Sequence, residues 1–134
     1  MLSWLLGEAR SGAIREQLGS AELILASELT LIECDRVLIR ATKTEQLTEA
    51  QAGERRLRLE QAAQHWTLLS LDSEIVERAR RPFPDEPVRT LDAIHLATAV
   101  MARGLVPKVA LLSLDEKIRR NGALLGFELL PKTD

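Results

Sequence analysis

Apolar residues along the chain fall into short runs that alternate with stretches of helical period. Leu-Ile-Leu-Ala at 23–26 has the length of a short buried strand. Ser27 then offers a helix cap, and Leu29, Ile32, Val37 and Leu38 lay an apolar stripe along a helix running to about Ala41. Thr48 and Gln51 have the spacing of a capping box, which opens a second helix to about Ala63. A second strand is predicted at 66–71. A short helix follows at 73–81, stopped by Pro82 and Pro84. Residues 81–87, Arg-Pro-Phe-Pro-Asp-Glu-Pro, form the clearest loop. From Thr90 to Arg103 a strong helix is expected, ending at Gly104. Ala93, Leu96, Ala97 and Val100 form one stripe on it, and Leu91, Ile94 and Met101 cover much of the rest, as in a buried helix. A strand at 109–112, a short helix at 115–121 and a last strand at 127–130 complete the pattern.

Short apolar runs alternating with helices predict an α/β fold, a mostly parallel sheet covered on both faces. The chain has 134 residues, the size of one domain, and 1–134 is read as such. Hydrophobic residues make up 46 % and charged residues 28 %, a globular balance. No apolar run approaches the roughly eighteen residues of a membrane span. The opening residues 1–8 are apolar but too short for a signal peptide, and the expected location is cytoplasmic. A single cysteine, Cys34, leaves no internal disulfide and suits a reducing compartment. The net charge of −2 argues against tight, nonspecific nucleic-acid binding, though not against local engagement through a few arginines and a metal. Aromatics are 3 %, with no tyrosine, so a base-stacking platform is not expected.

No Cys–His cluster, no glycine-rich phosphate loop and no Gly-x-Ser-x-Gly occurs, which leaves carboxylates to carry any chemistry. Asp92 lies in Leu-Asp-Ala-Ile-His-Leu-Ala-Thr-Ala. It reads either as a first-turn acid complementing the helix dipole or, given its apolar neighbours, as a charge that needs a partner such as a metal ion. Asp115 directly follows a strand, where ligands of parallel sheets gather. Its segment Ser113-Leu114-Asp115-Glu116 equally matches a capping box, and the tripeptide recurs at Ser70-Leu71-Asp72. Glu33 shares a helix face with Leu29 and Val37, and could pair with Arg36 at i,i+3. His95 and Cys34 read as core residues. Arg55, Arg56 and Arg58 read as a solvated face that could also meet a partner or RNA.

Taken in order, Ser-x-Leu-Thr-x-x-Glu after an apolar strand, the segment around Asp92, and strand-Ser-x-Asp resemble the PIN-domain family, in particular the VapC toxins of bacterial and archaeal toxin–antitoxin pairs. The likeness runs from about Leu23 to Leu130, and its most specific part surrounds Asp92. It implies a three-layer α/β/α domain and a metal-dependent endoribonuclease. Glu33, Asp92 and Asp115 would be the acids that hold Mg²⁺ or Mn²⁺, with Ser113 at the hydroxyl position. It further implies an RNA substrate, a small antitoxin partner and a homodimer, for which the helices between about Glu45 and Gln64 are the candidate surface. In the family a strand ending in an aspartate precedes all this. Residues 1–8 resemble the latter half of the helix that follows it, so that strand and its acid are missing from the pattern. Either a start upstream of Met1 or a degenerate, non-catalytic module that only binds an antitoxin would explain the gap, and the three remaining acids favour the upstream start.

Overall fold

The computed structural model describes residues 16, 17, 19, 21, 23–106 and 108–132. Residues 1–8, read above as part of a helix, lie outside them. The chain divides into two compact units, Met1–Leu68 and Leu69–Asp134.

In the first unit, strand β1 (Ile24–Ser27) leads into helix α1 (Leu29–Lys43), followed by α2 (Glu49–Ala63) and β2 (Trp66–Leu69), which pairs with β1. Ser27 is not the cap of α1. It ends β1, is buried, and its Oγ accepts the Leu29 N–H at 3.2 Å, while Glu28 takes the cap position without a side-chain cap bond. The buried face of α1 also differs from the predicted stripe. Cys34, Leu38 and Ala41 face inward, and Ile32 is 56 % exposed. Cys34 packs with Leu59 of α2 and Trp66 of β2, joined by Leu31, and these contacts rotate Ile32 outward. The α2 capping box is present as predicted: Thr48 Oγ1 accepts from Gln51 N at 3.1 Å, and Gln51 Oε1 accepts from Thr48 N at 2.9 Å. β2 stops at Leu69, two residues short of the expected end, because Ser70 and Leu71 turn towards the next helix.

In the second unit, helix α3 (Ser73–Ala79) packs against α4 (Thr90–Leu105). Strand β3 (Ala110–Leu112), helix α5 (Glu116–Leu124) and strand β4 (Glu128–Leu130) follow. β3 and β4 are parallel, with Ala110 opposite Glu128 and Leu112 opposite Leu130, as an α/β connection through α5 requires. The core joins Ile75, Phe83, Ala93, Leu96, Ala97 and Ile118. α4 does not stop at Gly104, which lies one residue inside its last turn; the C-cap is Val106. Nor is α4 buried all round at its ends: Leu91 is 47 % and Leu105 71 % exposed. Gly122 is where α5 comes closest to the sheet. A Cβ there would lie 2.5 Å from Leu111 Cδ2 and 3.1 Å from Leu129 Cδ2, so any larger residue would have to displace these leucine side chains.

Candidate functional site

Asp92 and Asp115 both belong to the second unit, each at the start of a helix. Asp92 is half-buried in the first turn of α4, beside the core residue Ala93. Asp115 is the N-cap of α5, three residues before the core residue Ile118. Ala93 and Ile118 belong to one apolar cluster, so a shared core anchors the two helix starts. Helix N-termini favour negative charge through their unpaired N–H groups and dipole, and both acids profit from it.

Main-chain bonds hold Asp115 on every side. Its N–H donates to Ser113 Oγ at 3.1 Å, its carbonyl accepts from Arg119 N at 2.9 Å, and its Oδ1 accepts from Ile118 N at 2.9 Å. The capping box expected at Ser113 is therefore shifted: Asp115 itself is the cap, because β3 and its extension through Ser113 hold Ser113 in the ladder. Ser113 N donates to Leu130 O at 3.0 Å. The repeated tripeptide behaves alike, since Asp72 caps α3 by accepting from Ile75 N at 2.9 Å.

Glu33 is half-buried on α1 in the first unit, flanking the buried face that holds Cys34. Glu33, Asp92 and His95 all have interaction partners. Among the described residues, no three His, Cys, Asp or Glu side chains gather as a cation site. A cavity of about 370 Å³ in the first unit is lined by Leu31, Asp35, Leu59, Ala63 and Leu68, and none of the three expected acids faces it. The basic group on α2 is largely paired: Arg56 meets Asp35 at 3.4 Å, and Arg58 meets Glu54 at 2.7 Å. Burial pushes the Cys34 thiol up to about 11, so it behaves as a small apolar core residue, as expected.

Two polar residues beside Asp115 carry structure that the sequence reading passed over. Asn121 is fully buried, and its amide joins α5 to the proline-rich loop: Asp85 N donates to its Oδ1 at 2.8 Å, and its Nδ2 donates to Asp85 O at 3.2 Å. Asp85 also receives Arg120 at 2.9 Å and Lys117 at 3.3 Å, which hold its carboxyl below the usual range. Glu86 braces the same loop, accepting from Phe83 N and Val88 N, both at 2.7 Å. Arg119 is 9 % exposed, and its guanidinium reaches the carbonyls of Ser113, Leu130 and Pro131. Both residues sit in Lys-Ile-Arg-Arg-Asn, within the short helix expected at 115–121. The only available signal was the position of the helix between two strands.

The family model described as PIN domain matches residues 1–124 of the chain. No curated protein matches it.

Proposed function

The chain belongs to the PIN-domain family, three-layer α/β/α proteins that are generally nucleases, and on that premise we propose that it is a metal-dependent endoribonuclease. The observation that carries this reading is the reach of the family match. It spans 1–124, reaches into both compact units and contains Glu33, Asp92 and Asp115. The same span supports reading 1–134 as one domain. No helix of the described residues is long and apolar enough to cross a membrane.

The donor chemistry of the second unit fits Mg²⁺ or Mn²⁺. Asp92 and Asp115 present hard carboxylate oxygens, and such ions are commonly held by one or two carboxylates together with waters and substrate phosphate. A bound ion supplies Lewis-acid polarisation of a phosphoryl oxygen and makes water more acidic. The chain's own part is to hold its acids in place and orient them. Asp92 does so from the first turn of α4, where the helix terminus favours the anion. Asp115 commits one oxygen to the α5 cap and thereby aims the other. The family resemblance adds Glu33, on α1 of the first unit, as an acid that would order a water. The substrate is RNA. In this reading the protein is the toxin of a VapC-type pair, bound by a small antitoxin and forming a homodimer through the α2 region, whose Leu57 is 54 % exposed.

A second reading rests on Asp115. Its capping bond is a sufficient structural reason for the residue, as it is for Asp72, and a non-catalytic module that binds an antitoxin would keep it. The experiment offers one RNA and a DNA of the same sequence to the chain in Mg²⁺ or Mn²⁺, with an EDTA control. Cleavage of RNA alone, stopped by EDTA, supports the ribonuclease. A folded chain that cuts neither favours the non-catalytic module.

A further inference from the structure

We propose that Arg119 is a positioning residue, whose guanidinium fixes the Ser113–Asp115 segment and so aims the Asp115 carboxylate. The inference rests on the reading above that Asp115 serves the site.

Arg119 is the fourth residue of α5, and side chains on a helix lean towards its N-terminus. That lean carries the guanidinium back to the ends of the two parallel strands. There Nη1 donates to Ser113 O at 2.7 Å and to Leu130 O at 3.1 Å, and Nη2 donates to Pro131 O at 2.9 Å. Leu130 O also accepts from Ser113 N, so both of its lone pairs are used on this junction. One side chain thus ties the residue after β3 to the last residue of β4 and to the residue beyond it.

The chemistry of the residue matters. At 9 % exposure the cation is costly to bury, and among the described residues its partners are carbonyl oxygens, with no carboxylate among them. A planar fork with several fixed donors meets three carbonyls from two strands, whereas a lysine ammonium concentrates its charge at one point. An apolar residue in its place would leave the Ser113 and Pro131 carbonyls without this donor. What the fork adds is a fixed direction for the Ser113 carbonyl, and Ser113 in turn holds Asp115 N through its hydroxyl. The first turn of α5 holds Asp115 from the other side. Outer partners that orient a ligating group typically affect metal affinity or activity by about 10–100-fold.

The test compares Arg119→Lys and Arg119→Gln with the parent, with Arg120→Gln as a control at the neighbouring arginine that meets Asp85. RNA cleavage is read as kcat and KM, and Mn²⁺ affinity is read without RNA by electron paramagnetic resonance of the free ion. The expected result in folded variants is a kcat loss of about 10-fold or more with KM for RNA nearly unchanged, weaker Mn²⁺ binding by about 10-fold, and no effect of Arg120→Gln. Parent-like kcat and Mn²⁺ affinity in folded Arg119→Gln, or full restoration by Arg119→Lys, overturns the inference. Asp115→Asn is run beside them. If it binds Mn²⁺ and cleaves like the parent, the reading of Asp115 fails and the inference with it; if Asp115→Asn is impaired and Arg119→Gln is not, the inference alone fails. Should neither Arg119 variant fold, Mg²⁺ is titrated into the unmodified chain under ¹⁵N-resolved NMR. Movement of the Arg119 guanidinium and Ser113 amide signals together with the Asp115 amide supports the positioning role, and movement of Asp115 alone overturns it.

Discussion

The Asp115 carboxylate accepts the N–H of Ile118 at 2.9 Å, so the acid proposed for chemistry is also the cap of its helix. Asp72 makes the same bond to Ile75 at the same distance and has no proposed part in the site. The two residues therefore separate a capping effect from a catalytic one.

Replacing either aspartate with alanine removes a cap and should destabilise the protein by about 1 kcal/mol. Asn caps nearly as well as Asp, so Asp115→Asn should leave stability within a few tenths of a kcal/mol of the parent. Cleavage should divide differently: lost by about 100-fold in Asp115→Asn and unchanged in Asp72→Ala. Chemical denaturation beside an RNA cleavage assay reads both. Equal cleavage by Asp115→Asn and the parent would leave Asp115 with a capping role only.

Asn121→Ala should destabilise by about 2 kcal/mol, because it removes the partners of both the N–H and the carbonyl of Asp85 at a fully buried position. The proline-rich loop loses its buried amide tie to α5 with them and keeps the ion pairs of Asp85 with Arg120 and Lys117. Faster tryptic cutting after Arg80 under native conditions is the expected sign, and an unchanged cutting rate would show that Glu86 and the Asp85 ion pairs secure the loop without Asn121.

Asp85 has its carboxyl lowered by hydrogen bonds from Arg120 and Lys117. A group whose folded value lies below its unfolded one stabilises the fold above the unfolded value, about 3.9 for Asp, and loses that contribution as pH falls through the folded value. Asp85→Asn should accordingly melt below the parent near neutral pH, and the gap should close in acid below the ordinary Asp range. A gap that persists unchanged into strong acid would assign the effect to something other than this charge.

The exposed Leu57 on α2 is the centre of the surface proposed for the homodimer. Leu57→Glu should shift the protein from dimer to monomer in gel filtration or sedimentation. Helicity should stay the same, because the residue is 54 % exposed and its loss leaves no cavity. An unchanged dimer would move the interface elsewhere.

How much of this was legible beforehand depends on how local the deciding interactions are. The α2 box was readable because both partners lie three residues apart, and the parallel pairing of β3 with β4 followed from the helix between them. Gly104 was misread as a stop, since glycine is tolerated inside a helix when the following residues keep the turn. Ile32 was placed inside because several faces of α1 carry apolar residues, and contacts with Leu59 and Trp66 decide between them. Arg119 and Asn121 could not be read at all. Their burial depends on carbonyls supplied by β3, β4 and the 81–87 loop, which no periodicity within α5 encodes. Of the candidate site, the placing of Asp92 in a first turn and of Asp115 beyond a strand end was legible, while the shift of the cap from Ser113 to Asp115 was not.

The most direct test of the central claim is cleavage of a labelled RNA by the chain in Mn²⁺, beside Asp92→Asn. Cleavage should depend on the ion and fall by about 100-fold or more in a folded Asp92→Asn variant. Cleavage that survives the substitution intact would contradict the assignment of Asp92. No cleavage by the folded parent would contradict the nuclease reading itself.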